Sequence, residues 1–168
     1  MRLAAFLSTA LLAAGAAVGA QAAPGGVASI NVDIGPDLAG KTDVVSDRDL
    51  DFLKTELRES LERELARGGA LAADGGVLTV VIEDATPNRP TMRQLTRTPG
   101  LSFDSRGIGG ATLSGTLVAP DGASTPFSYQ WYESDIRNTV AASTWNDAET
   151  TFDRFARKFA RGDVLSAR

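Results

Sequence analysis

The chain has 168 residues, 23% of them charged, with a formal net charge of −4, no cysteine and no histidine. An acidic protein repels phosphate backbones and anionic lipid, so we expect no nucleic acid and no membrane surface as a general partner. The missing residue types exclude Ser-His and Cys-His nucleophilic catalysis, the usual zinc sites, disulfide bonds and an acylated cysteine. We therefore expect no cofactor and no metal, and only carboxylates, Lys, Tyr, Ser and Thr remain for chemistry.

The first 22 residues have the pattern of a secretory signal peptide. Arg2 precedes an uncharged stretch rich in Leu and Ala, and Ala20-Gln21-Ala22 fits the small-x-small pattern before a cleavage site. The uncharged stretch is shorter than the roughly 20 apolar residues of a membrane span, so a cleaved peptide is favoured over an uncleaved anchor. A cut after Ala22 predicts a periplasmic or extracellular protein, without stable membrane insertion, that folds as one domain over residues 23–168.

The first half of the mature chain is predicted to be a strand, a helix and a second strand. Apolar and polar residues alternate from Ala28 to Ile34, as in a strand with one buried face. Ser46 and Asp49 form a capping box before a stripe of leucines, and Gly68-Gly69 ends this helix. The other faces of the helix carry both Glu and Arg, which favours packing on a sheet over lying on a membrane. Val77 to Ile82 is β-branched on both faces, which favours a central strand.

The second half is predicted to be a hairpin followed by a helix. Strands from Ala111 to Val118 and from Thr125 to Asp135 flank Pro120-Asp121-Gly122, a sequence that suits a tight turn. Thr144 and Asp147 form a second capping box, and Gly162 ends the last helix. One apolar stripe runs along that helix: Trp145, Ala148, Phe152, Phe155, Ala156 and Phe159.

These elements predict an α+β fold, a two-layer sandwich in the order β-α-β-(long loop)-β-β-α. Two helices would pack on one face of a four-stranded mixed sheet. A right-handed crossover would make the first two strands parallel, and the hairpin would add antiparallel strands. Phe127, Tyr129 and Trp131 share one face of the last strand. We expect this row to meet Phe152, Phe155 and Phe159 of the last helix in the core.

Residues 85–110 are predicted to be a loop that is too long for a simple connection between two strands. Four arginines against one aspartate give this segment a charge of +3 in an acidic protein. Arginines beside glycines can offer bidentate donors and backbone N–H groups to a carboxylate, phosphate or sulfate. We therefore predict a binding site, for an anionic ligand or another envelope protein, at Arg89, Arg93, Arg97, Arg106, Gly109 and Gly110.

Two further expectations concern the same segment. Its larger apolar residues are expected to fold back on the body of the protein: Met92, Leu95, Leu101, Phe103 and Ile108. In the alternative to a binding site, the arginines only offset the acidic residues Asp84, Glu133 and Asp135.

A different function class follows from two pairs of carboxylates at strand ends. Glu83-Asp84 and Glu133/Asp135 could converge, and paired carboxylates hydrolyse glycosidic bonds without histidine or cysteine. A hydrolase acting on cell-wall or surface polysaccharide is therefore the alternative to a non-catalytic binding protein. Such an enzyme needs two carboxyl groups about 5–10 Å apart across an open cleft.

Several short motifs spread over most of the mature chain carry a resemblance. They are Pro87-Asn88-Arg89-Pro90-Thr91, Pro99-Gly100-Leu101, Gly109-Gly110-Ala111, Trp131-Tyr132-Glu133 and the run from Trp145 to Ala156. In these motifs the chain resembles small secreted proteobacterial proteins of unknown function, and its layout is similar to small α/β domains of bacterial envelope assembly proteins. The resemblance implies an exported envelope protein and supplies no activity.

Overall fold

The structure, a computed structural model, describes residues 26–140 and 142–165. The predicted signal peptide and its cleavage site lie outside these residues. Within the described part of the chain, no helix is long and apolar enough to cross a membrane.

The sheet has four strands: β1 Val27–Ile34, β2 Gly76–Thr86, β3 Gly110–Val118 and β4 Ser124–Tyr132. Their order is β1-β2-β3-β4, with β1 and β2 parallel and the other pairs antiparallel. β2 lies inside the sheet, as its β-branched sequence predicted, and β1 and β4 form the two edges.

The helices are α1 Pro36–Ala39, α2 Asp47–Arg67, α3 Met92–Arg97 and α4 Asn146–Ala160, with a 3₁₀ turn at Ile136–Asn138. α2 and α4 pack against each other, α2 contacts β1, and α4 contacts β3 and β4. Both long helices share one hydrophobic core with the inward residues of the sheet. The predicted α+β two-layer sandwich is confirmed.

The core joins the aromatic row of β4 to the stripe of α4 as predicted for Phe127 and Tyr129, whereas Trp131 is half-buried outside the core and contacts the Arg154 guanidinium. The ring of Phe127 lies 5.6 Å from that of Phe155 and 5.5 Å from that of Phe159, and Tyr129 lies 5.7 Å from Phe155. Phe152, Phe155 and Phe159 are fully buried. Burial of each such side chain contributes about 1.5–3 kcal/mol, so this stripe holds the two layers together.

The two predicted capping boxes have different outcomes. The box at Ser46 and Asp49 is confirmed, since each side chain bonds the backbone N–H of the other residue. The box at Thr144 and Asp147 is wrong: α4 begins after Trp145, which makes no side-chain cap. Asp147 is buried and its carboxylate bonds a neighbouring segment instead.

Two strand boundaries also differ from the sequence prediction. A bulge between Val27 and Ser29 turns Val27 into the core and leaves Ala28 exposed, against the predicted alternation. β4 ends at Tyr132 because the chain then turns, so Glu133 to Asp135 are not part of the strand.

Candidate functional site

Residues 85–110, called the connecting segment below, are only partly a loop. β2 extends through Thr86, α3 lies in the middle, and β3 begins at Gly110. Thr91 and Gln94 form a capping box at the start of α3, and the Thr91 hydroxyl donates a hydrogen bond to the Val44 carbonyl. The segment is therefore held by local structure of its own.

A buried pair, Asn88 and Asp147, fixes the connecting segment to the start of α4. The Asn88 Nδ2 donates to Asp147 Oδ2 at 2.5 Å, and the Asp147 backbone N–H donates to Asn88 Oδ1 at 2.7 Å. The side chains of both residues are almost fully buried. An unmade hydrogen bond at such a site costs about 1–3 kcal/mol, so the pair locks the segment in one position.

The same pair also fixes the other end of the segment. Asn88 Nδ2 donates to the Gly107 carbonyl at 3.2 Å, and the Gly109 N–H donates to Asp147 Oδ2 at 3.0 Å. Sequence reasoning missed this role for Asn88. The pairing lies between residues 59 positions apart, and no local pattern reports such a contact.

Two of the four predicted arginines come together. Arg89 and Arg106 both line a pocket of about 210 Å³ beside Pro87 and Gly107. Arg89 Nη1 donates to the Phe103 carbonyl at 3.0 Å, while Arg106 is exposed. This pair places two guanidinium groups at one pocket.

The other two arginines lie on α3 and contact a different part of the protein. Arg93 Nη1 and Arg97 Nη1 both approach the Thr42 carbonyl, at 2.9 and 3.4 Å. The four arginines therefore do not converge on one ligand. The two arginines on α3 also tie this helix to the loop before α2.

The alternative in which the arginines offset nearby acidic residues is not what the structure shows. Asp84 forms its ion pair with Lys41 at 2.6 Å, and Asp135 forms its own with Arg137. Glu133 accepts from the backbone N–H groups of the turn that follows β4.

Gly109 and Gly110 serve the fold rather than the predicted anion site. Both are buried, and the Gly109 N–H already donates to Asp147. A Cβ at Gly109 would lie 2.7 Å from the Thr86 carbonyl oxygen, and one at Gly110 would lie 2.4 Å from the Trp131 oxygen. Glycine is needed here because neighbouring backbones approach too closely for a side chain.

Three large apolar residues of the connecting segment face solvent. The exposed fraction is 65% for Met92, 66% for Phe103 and 39% for Ile108. The expectation that they fold back on the body is wrong, and only Leu95 and Leu101 are half-buried. The segment is therefore held by hydrogen bonds while three of its large apolar side chains stay exposed.

A larger cavity of about 580 Å³ adjoins this segment. Phe52, Met92 and Trp145 supply apolar walls. Its polar lining comprises Ser46, Arg48, Asp49, Ser143, Thr144 and Glu149. Trp145 Nε1 donates to Asp49 Oδ1 at 3.3 Å, which connects the start of α4 to the start of α2 at the cavity wall.

The carboxylates proposed for a hydrolase are engaged separately. Glu83 accepts from the Ser114 hydroxyl, and Asp84 pairs with Lys41. The Asp135 and Ser134 backbone N–H groups hold the pKa of Glu133 below its ordinary value, and hydrogen bonds from Arg137 lower the pKa of Asp135. A general acid needs a raised pKa, so neither carboxyl after β4 is suited to that role.

The positions of the acidic residues in the sheet bear on the paired-carboxylate site and on metal binding. β3 lies between β2, which carries Glu83 and Asp84, and the turn that follows β4. Among the described residues, no group of three Asp or Glu side chains is placed to hold a metal ion.

Comparisons with known proteins give likeness to solved structures at low identity and low TM-score. No family model matches the sequence, and no curated protein matches it. The crystal structure of a minor lipoprotein from Acinetobacter baumannii aligns with a TM-score of 0.36 and 15% identity, covering 80% of this chain and 91% of that one. The rare lipoprotein B from Shewanella oneidensis aligns with a TM-score of 0.33 and 10% identity, covering 80% and 89%. Both neighbours are described as lipoproteins, whereas this sequence contains no cysteine.

Proposed function

We propose that this protein is a non-catalytic binding or accessory protein of the bacterial cell envelope, and that the connecting segment is its contact surface. The predicted signal peptide supports export. The absence of histidine and cysteine and the lowered pKa values of Glu133 and Asp135 support binding over hydrolysis.

One observation carries the proposal: the connecting segment is anchored by a buried pair yet exposes its largest apolar side chains. Asn88 is 1% exposed, whereas Phe103 is 66% exposed. An exposed ring on an anchored segment is available to a partner, and its burial on binding would be favourable. Arg89 and Arg106 at the neighbouring pocket add bidentate donors for an anionic group of the partner.

The proposal is tested by capture of partners from native envelopes with tagged protein. The variant Arg89→Ser/Phe103→Ser/Arg106→Ser removes two charges and one apolar contact from the surface. We expect it to unfold at nearly the wild-type temperature, since surface substitutions usually change stability by about 0.5 kcal/mol or less, and to lose the captured partner.

A matched control makes the same chemical change elsewhere. Arg58→Ser/Arg67→Ser/Val118→Ser also removes two exposed arginines and one exposed apolar side chain. This control is expected to capture the same proteins as wild type. Equal capture by both variants would place the contact surface outside the connecting segment.

A further inference from the structure

The free edge of β4 offers backbone groups to a partner. The Ala119 N–H donates to the Ala123 carbonyl, and the Glu133 N–H donates to the Gly109 carbonyl, so a hydrogen-bonded residue pair lies at each end of the hairpin. Hydrogen-bonded and non-hydrogen-bonded residue pairs alternate along two antiparallel strands. The backbone N–H and C=O groups of Ser128, Gln130 and Tyr132 therefore point away from β3. In the part of the chain that the structure describes, no residue hydrogen-bonds to these groups.

A groove of about 480 Å³ runs between this edge and α4, and it is called the β4 groove below. Its lining consists of Tyr129, Gln130 and Trp131 with Arg154, Arg157, Lys158 and Arg161. No carboxylate is among these lining residues. Four cations on one groove contrast with the net charge of −4 for the whole chain.

Two of the four cations of the β4 groove stack on aromatic rings, and Arg157 Nε donates to the Asp153 carbonyl. The Arg154 guanidinium lies 4.4 Å from the centre of the Trp131 ring, and the Lys158 Nζ lies 5.6 Å from that of Tyr129. Among described residues, none of the four basic groups has a carboxylate within ion-pair distance. Their charges are therefore available to a ligand, and stacking holds two of them over the groove.

The free backbone groups of β4 and the basic side chains of the β4 groove together favour an extended acidic segment as the ligand. A segment that adds to β4 places its backbone about 4.8 Å from the strand and directs alternate side chains to the same face. The helix-side face of β4 carries Tyr129, which contacts Phe155 of α4. Alternate side chains of an added strand would thus project over the basic residues of α4, where Asp and Glu are favoured.

We propose that the β4 groove is a docking site for an extended acidic segment of a partner protein, bound as a fifth strand of the sheet. Backbone hydrogen bonds to Ser128, Gln130 and Tyr132 set the register of the added segment relative to β4. Carboxylates at every second position of the partner meet the four basic side chains of the β4 groove. This surface is separate from the connecting segment, so the proposal stands independently of it.

The probe is a capped synthetic peptide of about nine residues, the length of an ordinary strand, with alternating Glu and Thr. Calorimetric titration into the purified protein is expected to show binding that weakens at least about tenfold in Arg157→Ser/Arg161→Ser, because two of the four cations that meet the peptide carboxylates are removed. The matched control Arg58→Ser/Arg67→Ser removes the same charge from α2 and should bind as wild type does.

Backbone pairing is tested separately from charge. A second peptide carries N-methyl groups on the alternate residues whose N–H groups would face β4. This peptide should not bind, since it lacks the donors that pair with a strand edge. Bound unmodified peptide should slow amide hydrogen exchange at Ser128, Gln130 and Tyr132. These two readouts need no protein variant, so they stand even if a variant fails to fold.

Four results would overturn the proposal. These are no peptide binding, equal binding of the N-methylated peptide, equal binding of a peptide with Lys in place of Glu, or protection of amides elsewhere than on β4. Binding of dextran sulfate without binding of the peptide would assign the groove to a polysaccharide. Dimers that form through β4 and resist excess peptide would assign it to a second copy of this chain.

Discussion

The aromatic stripe of α4 and the connecting segment both carry phenylalanine, and they use it in opposite ways. Phe155 is fully buried and Phe103 is 66% exposed. In α4 the apolar residues recur with the helical period, so they share one face and reach the sheet together. The connecting segment contains Pro87, Pro90 and Pro99 and forms only a short helix, so its apolar residues have no common face to bury. Burial of apolar side chains is therefore concentrated in the first region.

The largest expected effect is on the α4 stripe. Phe155→Ala removes a ring that packs between Phe127, Tyr129 and Phe159, at centroid distances of 5.6, 5.7 and 5.7 Å. A buried Phe→Ala substitution costs about 3–5 kcal/mol, a large part of the stability of a domain this size. Thermal and denaturant unfolding measure the loss. A melting temperature within a degree or two of wild type would contradict the assignment of this stripe to the core.

A smaller effect is expected at the link between the two regions. Asn88→Ala leaves the Asp147 N–H and the Gly107 carbonyl without their side-chain partner, at a cost of about 1–3 kcal/mol. Amide exchange should accelerate in the connecting segment and remain slow in β2 and α4. Asn138→Ala is the control, because this asparagine is exposed. Unchanged exchange in the segment would show that other contacts hold it in place.

Phe103→Ala is expected to change stability by less than about 0.5 kcal/mol, as exposed substitutions usually do. Phe103→Ala and Phe155→Ala make the same chemical change, one in the connecting segment and one in the α4 stripe, so their losses of stability can be compared directly. Chemical unfolding of the two variants side by side measures it. A loss at Phe103 as large as that at Phe155 would mean that this ring is buried in solution.

The smallest effect concerns the turn after β4, whose Glu133 N–H bonds the Gly109 carbonyl at the end of the connecting segment. Hydrogen bonds from the Asp135 and Ser134 N–H groups lower the pKa of Glu133. A lowered folded-state pKa stabilises the protein above the unfolded-state pKa, and this contribution is lost as the pH falls through the folded value. Glu133→Gln should therefore flatten the acid side of the stability profile. An acid limb as steep in Glu133→Gln as in wild type would contradict this assignment.

The periodic patterns of the sequence predicted the helices and strands, but they did not predict the long-range polar contacts. The leucine stripe predicted α2 and the phenylalanine stripe predicted α4. Both stripes also predicted which helix face packs on the sheet, because apolar residues at the helical period lie on one face. The capping box at Ser46 was predicted correctly and the one at Thr144 was not, since Asp147 is drawn into the buried pair with Asn88. Tertiary contact overrode local preference there.

The binding site assigned to the connecting segment stays a prediction, and the structure corrects the arrangement of its arginines. The excess of arginine identified the connecting segment, yet Arg93 and Arg97 bond the Thr42 carbonyl while Arg89 and Arg106 line a pocket. Which way a long side chain points depends on the fold around it, and composition alone does not contain that information. The basic groove beside β4 was missed because its charges lie on α4 and at the residue that follows it, whereas its backbone groups lie on β4.

Site-specific photo-crosslinking in living cells tests the central claim most directly. A photoreactive residue at position 103 replaces an exposed side chain of the connecting segment, and one at position 118 replaces Val118, which is exposed on the hairpin. The account predicts a discrete crosslinked partner from position 103 and none from position 118. The absence of a partner at position 103, or the same products from both positions, would contradict the connecting segment as the contact surface.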